Sequence, residues 1–186
     1  MHIDQGWIST ATRLASPNVD ARPDESDISL LVIHNISLPP GQFGGGHVNE
    51  LFTNQLNPNA HPYFAEIADL KVSAHVLIDR EGVVIQFVPF HHRAWHAGVS
   101  EFDGRSACND YSIGIELEGT DTMSYTDQQY ECLAEITQCL MAKYPSLTAK
   151  RIAGHSDIAP GRKLTLVLPL TGRALKCLFE AKISEY

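Results

Sequence analysis

Four side chains in this sequence could together hydrolyse an amide: His34, Glu116, His155 and Lys163. His34 ends an apolar run (SLLVIH), Glu116 lies inside another (SIGIELEG), and His155 opens GHSDIAPGRK, which closes on Lys163. Neutral imidazoles are the commonest zinc ligands, and a catalytic zinc keeps three protein ligands plus one open position for water. His34 and His155 each stand where a regular element gives way to a loop, which would aim their rings at the edge of a sheet. A metal there would bring the pKa of water down to roughly 7. Glu116 would take that proton and pass it to a leaving nitrogen, and Lys163 would stabilise the oxyanion. Spacing alone makes the signal weak. There is no HExxH, and the same residues read no worse as two of nine histidines with a carboxylate and an ammonium at solvated ends of a strand and a loop. His91 and His92 are expected to be exposed, and His75 to be a strand histidine satisfied by a neighbour. His47, His61 and His96 have less still to recommend them as ligands.

The elements that would position these residues are legible from period and punctuation. Strands are predicted over Ile28–His34, Ser73–Arg80, Val83–Val88 and Ser112–Glu118, all short, rich in Val and Ile, and bounded by Gly, Pro or Asp. Arg80-Glu81-Gly82 reads as a tight hairpin. The clearest helix is Thr126–Tyr144: Thr126 with Gln129 makes a capping box, and Pro145 stops it. Its apolar face takes Tyr130, Leu133, Ala134, Thr137, Leu140, Met141 and Tyr144. Shorter helices are predicted over Val48–Asn54, after the run Gly44-Gly45-Gly46, and over Leu175–Ile183. Between them lie long polar stretches, Ser37–Gly46, Asn54–Leu70, Pro89–Asp110 and Ser156–Lys163. Loops of this length in a compact domain are commonly functional, and Tyr63, Phe64, Trp95 and His96 suit the walls of a cleft. The expected fold is a single α/β domain spanning 1–186, with a mixed central β-sheet, flanking helices and a loop-walled zinc cleft.

Bulk properties narrow the function classes. At 186 residues, 44% apolar and 19% charged, the chain is long enough for one ordinary core. No apolar stretch reaches the roughly 20 residues of a membrane span, and MHIDQGWISTATRL lacks the basic start and apolar core of a secretory signal. Cys108, Cys132, Cys139 and Cys177 show no CxxC spacing and are expected to be reduced thiols, so the expected compartment is the cytoplasm. A net charge of −8 argues against nucleic acid or an anionic membrane as partner; a monomer is expected.

Several further stretches carry a resemblance. VIHNISLPPGQFGG, NPNAHPYF, SAHVLIDREGVVIQFVPF, RAWHAGVS, CNDYSIGIELEGTD and GHSDIAPGRK resemble the AmpD-type branch of the zinc-dependent N-acetylmuramoyl-L-alanine amidases, a family shared with phage amidases and peptidoglycan recognition proteins. The likeness runs from Gly6 to Lys163 with hardly a break. It implies hydrolysis of the amide between 1,6-anhydro-N-acetylmuramic acid and L-alanine in cell-wall recycling, with zinc as cofactor and an anhydromuropeptide as substrate. It implies His34 and His155 as zinc ligands, Glu116 as general base and Lys163 as transition-state stabiliser. Asn35, Tyr63, Lys71 and Trp95 are implied as substrate contacts.

The resemblance breaks immediately after Lys163. The family pattern continues Thr-Asp-Pro-Gly-Pro, one variable residue, then Phe-Asp-Trp, and its first Asp is the third zinc ligand. Here Leu164 to Gly172 read LTLVLPLTG, with Thr165 at the ligand's place. A reading-frame slip accounts for this. The codons ACT GAC CCT GGT CCT GCC TTT GAC TGG, read one base late, spell Leu-Thr-Leu-Val-Leu-Pro-Leu-Thr-Gly, and a compensating base near Arg173–Ala174 restores frame by Leu175. Residues 164–174 are thus out of frame relative to the family. Either the natural chain carries the aspartate, or the gene holds a true double shift and the product is a zinc-poor, catalytically impaired muropeptide-binding protein. A neutral Thr hydroxyl is a poor substitute for a carboxylate ligand.

Overall fold

The computed structural model describes residues 1–160, so the predicted helix Leu175–Ile183 and the stretch around Lys163 and Thr165 lie outside the described residues. Twelve short strands and four α-helices follow in chain order. The strands are β1 (Ile3–Asp4), β2 (Trp7–Ile8), β3 (Thr12–Arg13), β4 (Val19–Ala21), β5 (Leu30–Ile36), β6 (Val76–Ile78), β7 (Val84–Gln86), β8 (His92–Ala94), β9 (Glu101–Phe102), β10 (Arg105–Ser106), β11 (Ser112–Glu118) and β12 (Ile152–Gly154). The helices are α1 (His47–Phe52), α2 (Pro62–Ile67), α3 (Asp127–Lys143) and α4 (His155–Ile158).

Six strands make the central sheet, in the order β12-β5-β11-β6-β7-β3. The run β12, β5, β11, β6 is parallel, β6 and β7 pair antiparallel, and β7 pairs β3 in parallel, so the sheet is mixed as expected. β11 lies at its centre and is buried throughout, as a strand covered on both faces must be. Side-chain alternation sorts the two faces. Leu31, Ile33, Ile113, Ile115, Leu117, Val76 and Ile78 face α3 and its Leu133, Ile136 and Leu140. Burying each of those three leucine or isoleucine side chains stabilises the fold by about 2 kcal/mol. The opposite face carries Leu30, Val32 and His34 from β5 and Ser112, Gly114, Glu116 and Glu118 from β11. Short helices α1 and α2 and the segment around Ala94 and Ala97 cover it.

The helix α3 matches its prediction: Thr126 caps Gln129 and Gln129 returns the bond. Its buried face includes Ile136 and Gln129, while Tyr130, Ala134, Met141 and Tyr144 are only half-buried against the core. Gln129 is wholly buried because its amide donates to the carbonyls of Ile78 (3.2 Å) and Glu118 (2.9 Å), tying the helix start to two strand ends. The predicted strand Ile28–His34 lies two residues later, at Leu30–Ile36. The predicted Ser73–Arg80 shortens to Val76–Ile78, and the ring of His75 marks its limit: Nδ1 accepts the Gly114 N–H that a longer ladder would use (3.0 Å). The stretch Asn54–Leu70, expected as a loop, contains α2, started by Pro62 behind a His61 cap. Pro89–Asp110 holds β8, β9 and β10 rather than irregular chain. It is pinned from below by Arg22, a buried guanidinium that donates to the carbonyls of Phe90 (3.1 Å), Asn109 (3.1 Å), Asp110 (3.0 Å) and Ser112 (2.7 Å). Burial lowers its pKa to about 10, so it remains a cation at neutral pH.

Candidate active site

His34, Glu116 and His155 meet on the face of the sheet opposite α3. His34 and Glu116 are register partners on adjacent parallel strands, so their side chains rise from the same face about 4.8 Å apart at the backbone. β12 runs along the other side of β5 and ends at Gly154, which delivers His155 as the first residue of α4. The Asp157 carboxylate accepts the Gly154 N–H (2.7 Å) and fixes that strand-to-helix corner. The site therefore forms at the carboxyl ends of parallel strands, where open α/β sheets place their ligands.

The Nδ1 atoms of His34 and His155 lie 2.9 Å apart. Their separation is close to the ~3.3 Å expected between two nitrogens on a tetrahedral zinc with bonds of about 2.0–2.1 Å. Burial, reinforced by the other rings, holds His34 well below the usual imidazole pKa, so it is neutral and has a lone pair to give. Beside them Glu116 is buried, and its Oε2 has no hydrogen-bond partner. Burial alone raises its pKa from 4.5 to about 8. An unpartnered buried carboxyl oxygen beside two converging imidazole nitrogens is a donor set suited to a divalent cation and a water. Among the described residues no group of three or more His, Cys, Asp or Glu is arranged to hold a metal; what they supply is the His34–His155 pair.

A third histidine belongs to this cluster, one expected in the wall of a cleft but not against the ligand pair. His96 Nδ1 lies 2.9 Å from His34 Nε2, and its Nε2 lies 3.2 Å from Ser112 Oγ. Asn109 Oδ1 accepts the main-chain N–H groups of His96 (3.1 Å) and Ala97 (2.8 Å), which sets the ring's approach. The available signal was its place in RAWHAGVS, one residue after Trp95. His75 is satisfied by neighbours as expected, though it lies one residue before β6 rather than in a strand, with Nδ1 on Gly114 N–H and Nε2 donating to the His92 carbonyl (3.1 Å). His91 and His92, expected to be exposed, are half-buried, their rings meeting edge-to-face with centroids 4.4 Å apart.

The remaining sequence-predicted residues are spread more widely. Trp95 is half-buried, and its indole N–H is buried without a partner. Tyr63 sits on α2, packed on the same face of the sheet as the histidines. Lys71 is exposed, two residues before Ser73, whose N–H donates to the Trp95 carbonyl (3.2 Å). Asn35 alternates to the α3 face of β5, where its amide donates to Asp121 (2.8 Å), so it is not brought beside the imidazoles. Beyond Glu116, under the Ser37–Gly46 segment, lies a cavity of about 110 Å³ lined by Leu38, His47, Leu77, Ile85 and Glu118 among others.

A mixed α/β sheet with two imidazoles and a buried carboxyl at the ends of its parallel strands defines a class of hydrolases, and the chain belongs to the N-acetylmuramoyl-L-alanine amidase family, whose model matches residues 24–165. It is 59% identical over 163 residues to the 1,6-anhydro-N-acetylmuramyl-L-alanine amidase AmpD of Citrobacter freundii, covering 88% of this chain and 87% of that protein. It is similar to a crystal structure of a selenomethionine AmpD derivative, with a TM-score of 0.91 and 54% identity over 96% of this chain and 99% of that one. A crystal structure of AmpDh3 from Pseudomonas aeruginosa in complex with anhydromuramic pentapeptide matches at TM-score 0.61 and 28% identity, over 88% and 63% of the two chains.

Proposed function

We propose that this amidase hydrolyses the bond between the lactyl group of 1,6-anhydro-N-acetylmuramic acid and L-alanine, acting on soluble muropeptides in cytoplasmic cell-wall recycling. The observation that carries the reading is the convergence of the His34 and His155 Nδ1 atoms beside the unpartnered Glu116 carboxyl. The substrate class is supported by relatives named for the anhydromuramyl amide at 59% identity. That identity also favours a working enzyme over a protein that only binds muropeptides.

His34 and His155 would hold a zinc ion, with a third ligand at position 165, where family members carry Asp and this chain has Thr165. When bound, the zinc supplies a Lewis acid for the amide carbonyl and acidifies water. Burial raises the Glu116 pKa to about 8 in the metal-free protein, and a dication held by the neighbouring imidazoles would favour its ionised form, in which it serves as the base. It takes the proton from the attacking water and delivers it to the nitrogen of the departing L-alanyl peptide. Lys163 stabilises the oxyanion. Tyr63 and Trp95 pack the sugar, and the Trp95 indole N–H offers it a buried donor; Lys71 contributes from the rim. Residues 1–186 form one amidase domain that works as a monomer, without nucleic-acid or membrane partners. Among the described residues Cys108, Cys132 and Cys139 are free thiols, which suits a reducing compartment.

Metal content and turnover measured on the same variants test this division of labour. Glu116→Gln should abolish turnover with zinc retained, and His155→Ala should lose both. Loss of zinc from Glu116→Gln would make Glu116 a ligand and overturn its role as base.

A further inference from the structure

We infer that His96 is a positioning residue for the metal site: it accepts the Nε2 proton of His34 and so keeps the His34 Nδ1 lone pair directed at the metal. The inference rests on the zinc reading above and adds a residue to it. A neutral imidazole carries one proton on two nitrogens. If Nδ1 of His34 is to bind a metal, the proton must sit on Nε2, and the atom facing that nitrogen is His96 Nδ1 at 2.9 Å. His96 then carries its own proton on Nε2, which faces Ser112 Oγ at 3.2 Å. With a metal on His34 Nδ1, this order of protons satisfies every ring nitrogen of the chain from His34 to His96 to Ser112; the reversed order would put a proton on His34 Nδ1, facing His155 Nδ1 at 2.9 Å, and block the metal. Ligand histidines ordinarily donate their second N–H to an oxygen acceptor; here another imidazole takes that place.

The fold is shaped around that ring. Gly114 lies on the central strand directly beneath His96, and a Cβ there would overlap the imidazole. The absence of a side chain at Gly114 is what lets His96 reach His34 across the sheet face. Asn109 holds the His96 backbone, and Arg22 holds Asn109 and Ser112 by their carbonyls. The two buried polar residues therefore fix the His96 and Ser112 members of the chain.

Three variants test the inference by zinc competition against a chelator, with unfolding of each zinc-free protein measured alongside. His96→Leu removes the acceptor and should weaken zinc by about 10–100-fold, the usual effect of losing an outer-shell partner. His96→Asn places a carbonyl oxygen where Nδ1 stood and should recover most of that loss. Gly114→Ala displaces the ring without changing it and should weaken zinc as His96→Leu does. In the zinc-loaded wild-type chain, a ¹⁵N–¹⁵N coupling should be seen across the bond from His34 Nε2 to His96 Nδ1. Wild-type zinc affinity in His96→Leu would overturn the inference, as would equal losses in the Leu and Asn variants. Zinc uptake absent even after Thr165→Asp would instead overturn the metal reading on which the inference stands, since Thr165 alone accounts for weak zinc in the parent chain.

Discussion

Replacing Glu116 by Gln should stabilise the zinc-free protein, and increasingly so as the pH rises. The carboxyl is buried with one oxygen unpartnered, and burial moves its pKa from 4.5 to about 8. In the fold it keeps its proton at pH values where the unfolded chain has already released its own. Stability is therefore lost as pH climbs above 4.5, and the loss levels off above about 8. At about 1.36 kcal/mol per pKa unit the full separation corresponds to about 5 kcal/mol, of which about 3.5 kcal/mol falls between pH 5 and pH 8. The buried rings of His34, His75 and His96 act in the opposite sense. Their pKa values are lowered by burial, so their contribution is lost as pH falls below the usual imidazole range. Comparing wild type with Glu116→Gln cancels that shared background. Urea unfolding of both chelator-treated proteins at pH 5, 6, 7 and 8 is the assay. The two should be close at pH 5 and diverge by about 3.5 kcal/mol at pH 8 in favour of the Gln variant. Parallel pH profiles would refute the claim that Glu116 is held protonated by desolvation.

Two further outcomes follow from other parts of the molecule. A chain verified by mass to carry Thr165 should retain less than one equivalent of zinc after dialysis against a mild chelator, and Thr165→Asp should raise retention; stoichiometric, chelator-resistant zinc with Thr165 in place would show that another residue completes the shell. Arg22→Met should leave four carbonyls short of a donor and cost about 3 kcal/mol or more, lowering the melting temperature by roughly 6–12 °C for a domain of this size, and a shift under about 2 °C on the same scale would show that the Pro89–Asp110 segment is held by other means.

The central architecture was legible in the sequence because its signals are local. Ser112–Glu118 reads as a strand from its own Ile and Leu content, and α3 announces itself through the Thr126–Gln129 box and Pro145. The pairing of His34 with Glu116 was also within reach, since each ends or occupies an apolar run. What could not be read is set by contacts distant in sequence. His96 is a site residue only because Gly114, 18 positions later, leaves room for its ring, and because Asn109 turns its backbone toward β5. Asn35 was expected as a substrate contact, and strand alternation sets it on the face opposite His34, where Asp121 holds it. The order within Pro89–Asp110 depends on Arg22, whose partners are main-chain carbonyls that carry no mark in a sequence. α2 had a signal in Pro62, but the polar stretch around it masked a single short helix.

The most direct test of the account is the rate of peptide release from a matched pair of substrates, the 1,6-anhydromuramyl-L-alanyl peptide and its reducing-end counterpart. The internal ether of the anhydro sugar removes a hydroxyl and changes the ring shape, and sites that read a hydroxyl through buried polar pairing can discriminate by up to ~10⁴. Under initial-rate conditions, the zinc-loaded protein carrying aspartate at position 165 should release free peptide from the anhydro form with clear preference. Equal rates on the two sugars, or faster cleavage of intact sacculi, would contradict the account and place the chain with the general wall amidases.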